Sequence, residues 1–331
     1  MNTRLSRKGK RKRKLRVFRV FFLALFIAII GAGIYFYNIY SDVAGAVNKM
    51  NNSFDLKVSK KRSEKVEFHR KDPISILLVG VDERKGDSGR TDSMIIATIN
   101  PETKSTKLLS IPRDTRTKLV NNSNSKKDRI SKINAAYAYG GIEETIDTVE
   151  NFLNIPIDYY AQINMEGFKD IVNAVGGIDV NNKYKFELDG VTLKPGEQHL
   201  NGEKALQYAR MRHQDPLGDF GRQERQKEVI IKVVDKGKKF NSLVHYKKIL
   251  NALEDNIKTN LSLDDMIGIQ SNYKVAANNI EKMEVKGEGE SIPDDGWYYI
   301  VTNETRQELS DKLRKHLGLP EEKVSPIYTG E

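Results

Sequence analysis

The chain reads as a mixed α/β domain carried on an N-terminal membrane anchor. Three observations predict this. A 21-residue charge-free apolar run directly follows a basic cluster. Short continuous apolar runs at 75–81, 93–99 and 107–111 have the pattern of strands buried on both faces. Segments of helical spacing lie between and after them.

Residues 1–19 hold ten Lys or Arg and no acid: Arg4, Arg7, Lys8, Lys10, Arg11, Lys12, Arg13, Lys14, Arg16 and Arg19. They account for the whole net charge of +10, since the rest of the chain has as many basic as acidic residues. The imbalance therefore argues for a basic end held in the cytoplasm, with residues from about Ser41 outside, and against a nucleic-acid-binding protein. Val20–Tyr40 would span about 31 Å as a helix, close to the hydrocarbon thickness of a bilayer. Ala44-Gly45-Ala46 would also suit a signal peptidase. The run is longer than a signal peptide needs, however, and Tyr35, Phe36, Tyr37 and Tyr40 form an aromatic belt at its outer end, so an uncleaved anchor is the expectation.

Residues 41–72 are polar and weakly periodic and read as a juxtamembrane stalk, with some helix near Val43–Met50. A single domain over 73–331 follows. Strands are expected at Ser75–Val81, Ser93–Ile99, Lys107–Ile111 and Tyr159–Ile163, at the end of Val175–Val180 after a Gly-Gly turn, and at Trp297–Val301. Helices are expected over Ile142–Leu153, Asn201–Met211, Arg222–Lys236, Leu243–Ile257 and Leu263–Tyr273, the last capped by Ser262. A final helix, capped by Asn303, is expected to run to His316 before Gly318 and Pro320.

The chain has no cysteine, which excludes a thiolate nucleophile, a cysteine-ligated zinc and an iron–sulfur cluster. Its five histidines show no i, i+4 pair, which argues against a histidine metal site. No Walker A loop, GxGxxG after a strand, GxSxG elbow or HExxH is present.

Three segments are candidates for chemistry. In the loop 80–93, Asp82 ends one apolar run and Asp92 precedes the next. If the two strands are neighbours, both carboxylates reach one sheet edge, where they suit Mg²⁺, and Arg90 supplies a fork for phosphate. A solvated hairpin loop would explain the same residues. In Ser110-Ile-Pro-Arg113-Asp114, the arginine follows a strand-ending proline near the same edge, and a surface pair with Asp114 is the plain alternative. The third segment places Arg210, Arg212, Arg222 and Arg225 within sixteen residues, with Arg222 and Arg225 on one helix face. All four are Arg rather than Lys, which favours bidentate phosphate recognition over a general basic patch. Carboxylates for a divalent cation plus several arginines are equipment for phosphate-ester chemistry by positioning and charge stabilisation. The helix faces Ile142, Ile146, Val149 and Leu153, or Val229, Ile230 and Val233, could wall an apolar pocket, although core packing explains most of them.

Val79-Gly-Val-Asp82, Gly89-Arg-Thr-Asp92-Ser-Met94, Ser110-Ile-Pro-Arg-Asp114, Lys132-Ile-Asn-Ala-Ala-Tyr-Ala-Tyr-Gly-Gly141 and the block Leu200–Arg212 together resemble the LytR-CpsA-Psr family, in order, over a motif core of 73–234. The resemblance implies a mixed β-sheet flanked by helices with a pocket for a polyprenyl chain. It implies an Mg²⁺-assisted (or Mn²⁺-assisted) phosphotransferase at the cell membrane, moving a glycopolymer such as wall teichoic acid from an undecaprenyl-pyrophosphate carrier to peptidoglycan. By position, Asp82 and Asp92 would hold the metal, and Arg90, Arg113, Arg210, Arg212 and Arg222 would contact the pyrophosphate. Arg225 would support them and Asp219 would orient an arginine. Asp82, Arg113, Arg210 and Arg212 are the candidate catalytic residues. Two rivals remain at this level: a polyprenyl-pyrophosphate phosphatase with water as acceptor, and a non-catalytic anchored sensor of lipid phosphates.

Overall fold

The computed structural model describes residues 37–51, 59–82, 89–120, 129–238 and 253–327. Residues 37–50 are helical (α1). Residues up to Ala46 form one unit and Val47 onward forms the other, which holds everything below. Among the described residues no helix is long and apolar enough to cross a membrane. The expected anchor at 20–40 lies outside them apart from its last four residues.

The β-branched and leucine-rich runs make a mixed six-stranded sheet. Its strands are β1 (Ile74–Asp82), β2 (Arg90–Asn100), β3 (Ser105–Ser110), β6 (Tyr159–Ile163), β11 (Ile257–Thr259) and β12 (Ile280–Glu284), in the order β11-β6-β1-β2-β3-β12. β1 runs antiparallel to β2 and parallel to β6, and β12 lies parallel to β3. Alternation sends Leu77, Val79, Met94, Ile96 and Leu109 to one face. There they meet α2 (Ala135–Leu153) and α7 (Asn303–His316) through Ile142, Ile146, Val149, Phe152, Leu309 and Leu313. Each fully buried aliphatic side chain contributes roughly 1.5–3 kcal/mol. Ile76, Ile95, Ala97 and Tyr159 take the other face, against α6 (Leu263–Asn272) and part of α5 (Gly218–Gly237). A third cluster joins α3 (Met165–Ala174), α4 (Gly202–Arg210) and α5 to β7 (Ile178–Asn182), β8 (Phe186–Leu188), β9 (Val191–Leu193) and β10 (Gly196–Leu200).

Several expected elements differ in detail. α2 starts at Ala135, with Gly140 and Gly141 non-helical where Ile142 was the expected start. The final helix is capped by Thr302, whose side chain accepts from Thr305 N, and not by Asn303. The helix expected over 243–257 falls mostly outside the described residues, and its last residue, Ile257, opens strand β11. Ser262 does cap α6, in a reciprocal capping box with Asp265. The hairpins β4–β5 (Arg116–Leu119 and Arg129–Lys132) and β13–β14 (Glu288–Ile292 and Gly296–Ile300) are antiparallel pairs. β13 and edge strand β12 are too polar to give an apolar run.

Residues 59–72, read from sequence as stalk, pack on the sheet domain. Arg62 makes an ion pair with Asp158 at 2.8 Å, Val66 is buried, and Phe68 stacks on Tyr159 at 5.9 Å between ring centres.

Candidate active site

The site forms where β1, β2 and the segment after β3 meet the ends of α4 and α5. The ladder between β1 and β2 carries a bulge. Gly80 faces Ser93 and Val81 faces Thr91, so Asp92 is the extra residue. A bulge re-aims one side chain at a strand end, and here that side chain is a carboxylate. Asp82 faces Arg90 in the last register pair. Pro112 stops β3, and Arg113 then turns back so that its Nη1 donates to Asp92 Oδ1 at 2.6 Å, while its Nε lies 3.5 Å from Asp114.

Asn201 accepts from Lys204 N and starts α4, which ends at Arg210. Arg210 Nη1 donates to Asp189 at 2.6 Å. Arg212 follows the buried Met211, and its Nη2 is 3.4 Å from His213 Nε2. Asp219 and Arg222 lie three apart in the first turns of α5, with Asp219 Oδ1 2.8 Å from Arg222 Nη2 but without the alignment of a hydrogen bond. Arg222 is 7% exposed. The Nε atoms of Arg222 and Arg113 are buried and have no hydrogen-bond partner among the described residues. A buried cation with an open donor is costly unless an anion meets it.

The electrostatics follow from this packing. Burial pushes the Arg222 guanidinium below its ordinary value; Asp219 opposes this, and Arg113 and Arg212 add to it. For Arg113 burial acts in the same direction, but the Asp92 hydrogen bond and the Asp92 and Asp114 charges outweigh it and the net shift is upward.

Six of the sequence-predicted residues, Asp82, Asp92, Arg113, Arg210, Arg212 and Arg222, line one cleft of about 500 Å³. Ser93, His213 and Gln226 line it too, and sequence reasoning passed over them. Gln226 was within reach, since it follows Arg222 by four residues and so shares its helix face. Ser93 Oγ donates to Gln226 Oε1 at 3.0 Å. The remainder of the cleft is apolar. Leu78 and Ile95 form its floor, and Phe168, Leu206, Val229, Ile230 and Val233 form its walls. Of the two candidate apolar walls, then, the face of α5 borders the cleft. Ile142, Ile146, Val149 and Leu153 lie instead in the core on the opposite face of the sheet.

Three predicted residues sit apart from the lining. Arg90 is exposed at the start of β2. Asp219 holds Arg222. Arg225 is buried beneath the site with its donors spent on Tyr208 O (2.8 Å), Met211 O and the Asp215 carboxylate. Gly221 makes room for that lock, because a Cβ there would lie 1.9 Å from Asp215 Oδ2. Arg225 thus ties the end of α4 to α5 and sets where Arg212 and Arg222 emerge.

Among the described residues no group of three or more His, Asp or Glu could cage a metal ion. Two carboxylates at the cleft mouth suit a cation that shares its shell with phosphate oxygens and water.

Known proteins similar to this chain identify its family. A polyisoprenyl-teichoic acid–peptidoglycan teichoic acid transferase, TagU, of Bacillus cereus is 46% identical over 291 residues, covering 88% of this chain and 94% of that relative. A crystal structure of a Streptococcus agalactiae protein superposes with a TM-score of 0.72 at 39% identity, covering 80% of this chain and 94% of the other. A LytR-CPS2A-psr family protein, YwtF (TagT), solved with bound octaprenyl pyrophosphate lipid, superposes with a TM-score of 0.62 at 30% identity, covering 79% and 97%. The profile of the LytR_cpsA_psr family matches residues 37–315. With most of its length matched, the chain belongs to the LytR-CpsA-Psr family.

Proposed function

We propose that this protein is a phosphotransferase that moves an anionic glycopolymer, wall teichoic acid in particular, from an undecaprenyl-pyrophosphate carrier to peptidoglycan. The observation that carries the reading is the two-part cleft, in which a mouth of arginines and carboxylates opens onto an apolar trough between the sheet and α3, α4 and α5. A lipid pyrophosphate has those same two parts. The naming of the relatives as teichoic acid transferases supports the polymer and the acceptor.

The residues divide the work by position. Arg222 and Arg113 line the mouth with guanidinium groups whose Nε atoms have no hydrogen-bond partner among the described residues, and pyrophosphate oxygens are the anions suited to them. Arg210 and Arg212 line the same cleft and add their charge to it. Charge that accumulates on the departing polyprenyl phosphate is stabilised by donors already held in place. Asp82 is our candidate to assist removal of the acceptor's hydroxyl proton. Asp82 and Asp92 would hold Mg²⁺ (or Mn²⁺), which supplies charge neutralisation at the phosphate oxygens.

The carrier lies in a bilayer, so the enzyme is tethered there. Residues 20–40 cross the membrane, the basic tail 1–19 stays inside, and the domain works on the outer face as a single-pass type II protein. Protease added to intact protoplasts should remove the domain; protection until lysis would overturn that topology.

The test of function is the full-length protein in detergent with lipid-linked polymer and peptidoglycan oligomers. A covalent polymer–peptidoglycan conjugate is expected. Free phosphorylated polymer without conjugate would identify a phosphatase, and binding without turnover would identify a sensor.

A further inference from the structure

A second cleft, of about 440 Å³, lies beside the first and shares Arg212 and His213 with it. Its character is different. Trp297 and Phe220, residues 49% and 41% exposed, line it together with Asp114, Asp219 and Tyr299. Phe220 meets Tyr299 edge-on at 5.5 Å. Gly289 makes room for the indole, since a Cβ there would come within 2.8 Å of the ring. Strand β14 is tied to the phosphate site, because Tyr299 N donates to Asp114 O at 2.9 Å, one residue after Arg113. Exposed aromatic residues beside carboxylates, an imidazole and a guanidinium match a pyranose, whose C–H face packs on a ring while its hydroxyls find donors and acceptors.

We propose that this cleft seats the sugar rings of the acceptor glycan; the proposal rests on the transferase reading above. In-line displacement at phosphorus places the entering oxygen opposite the leaving one. The lipid trough holds the leaving side, so the entering hydroxyl comes from across the shared Arg212–His213 wall. A sugar hydroxyl oxygen bonds to the polymer-bearing phosphorus as the bond from that phosphorus to the bridging oxygen breaks. The bridging oxygen keeps the electron pair and leaves as polyprenyl phosphate, and the hydroxyl proton passes to Asp82.

Trp297 is the only tryptophan of the chain, so tryptophan fluorescence reports this cleft. Titrating the full-length protein in detergent with soluble peptidoglycan glycan strands should give a saturable change. Phe220→Ala, which keeps the reporter, should weaken the apparent affinity roughly tenfold. In transfer assays Trp297→Ala should raise acceptor KM by a similar factor, leave affinity for polyprenyl pyrophosphate unchanged, and be largely rescued by Trp297→Phe. The proposal is overturned if conjugate forms while acceptor strands leave the fluorescence and the variants' acceptor KM unmoved. It is equally overturned if only the polymer-bearing donor moves the signal, since the cleft would then hold donor sugars. Saturable strand binding with no conjugate formed would support the glycan cleft and count against the transferase reading instead.

Discussion

Arg222 and Arg225 stand three residues apart on one helix, and packing gives them opposite duties. Arg222 keeps a buried Nε unpartnered at the cleft, whereas every donor group of Arg225 is spent inside the protein. Arg225→Ala should therefore act on folding: it strands the buried Asp215 carboxylate and should cost roughly 3–5 kcal/mol in denaturant melts. Arg222→Lys should leave the melt nearly unchanged and lower transfer roughly tenfold to a hundredfold, because an ammonium cannot offer the planar fork. Equal stability of the Arg225 variant would move that residue into the binding set. Asp82→Asn and Asp92→Asn should each abolish the divalent-dependent part of transfer while the protein stays folded. Full activity of both in chelator-treated buffer would remove the metal role. Asp92→Asn has a second effect, since it weakens the hold on Arg113.

Helix α2 carries a titrating group in its buried face. Glu150 is pushed up to about 7, first by burial, against hydrogen bonds from Ser59 and from Ile157 N. Its folded-state pKa lies above the unfolded carboxylate value, so the stabilisation it brings is complete below about pH 4.5 and is lost as pH rises through about 7. Glu150→Gln keeps an oxygen to accept from Ile157 N, a bond of 2.7 Å in the parent. The variant should match the parent near pH 4 and exceed it at pH 8 by up to about 3 kcal/mol. Parallel melting curves across that range would show that Glu150 does not titrate between the two states. The neighbouring α7 shows how buried charge is otherwise managed. Arg306 and Arg314 donate to Asn151 O, Phe152 O and Asn154 O, carbonyls at the end of α2.

The domain as a whole reaches back beyond its first strand. Asp158 accepts from both Arg62 Nε (2.8 Å) and Arg62 Nη2 (3.0 Å), and Tyr273 Oη donates to Asp72 O. A fragment beginning at Pro73 leaves Asp158 without its cation, whereas one beginning at Val47 keeps it. The shorter fragment should melt on the order of 10 °C lower. Equal melting temperatures would show that 47–72 is an appendage. The longer fragment is the one to use for ligand titrations, where a long-chain polyprenyl pyrophosphate should bind more tightly than a short-chain analogue by roughly 25 cal/mol for each Å² of tail buried in the trough.

By itself the sequence determined the mixed α/β class, the three central strands, the helices α4 and α6 with the Ser262 cap of α6, and which arginines and aspartates to examine. Those features are written locally, as apolar runs, cap residues and charges at fixed spacing. It also carried the family pattern over 73–234. Only the tertiary structure decided which apolar helix face borders the cleft, because Ile142 to Leu153 and Val229 to Val233 have equally good helical stripes and differ only in what packs against them. The family pattern already set Arg225 apart as a support, but the physical reason, donors spent on Tyr208 O, Met211 O and Asp215, lies in neighbours that only the tertiary structure brings to it. The second cleft was illegible for the same reason. Trp297 and Phe220 are 77 positions apart in the chain, and no local pattern relates residues that meet only when β14 is laid against the segment after β3.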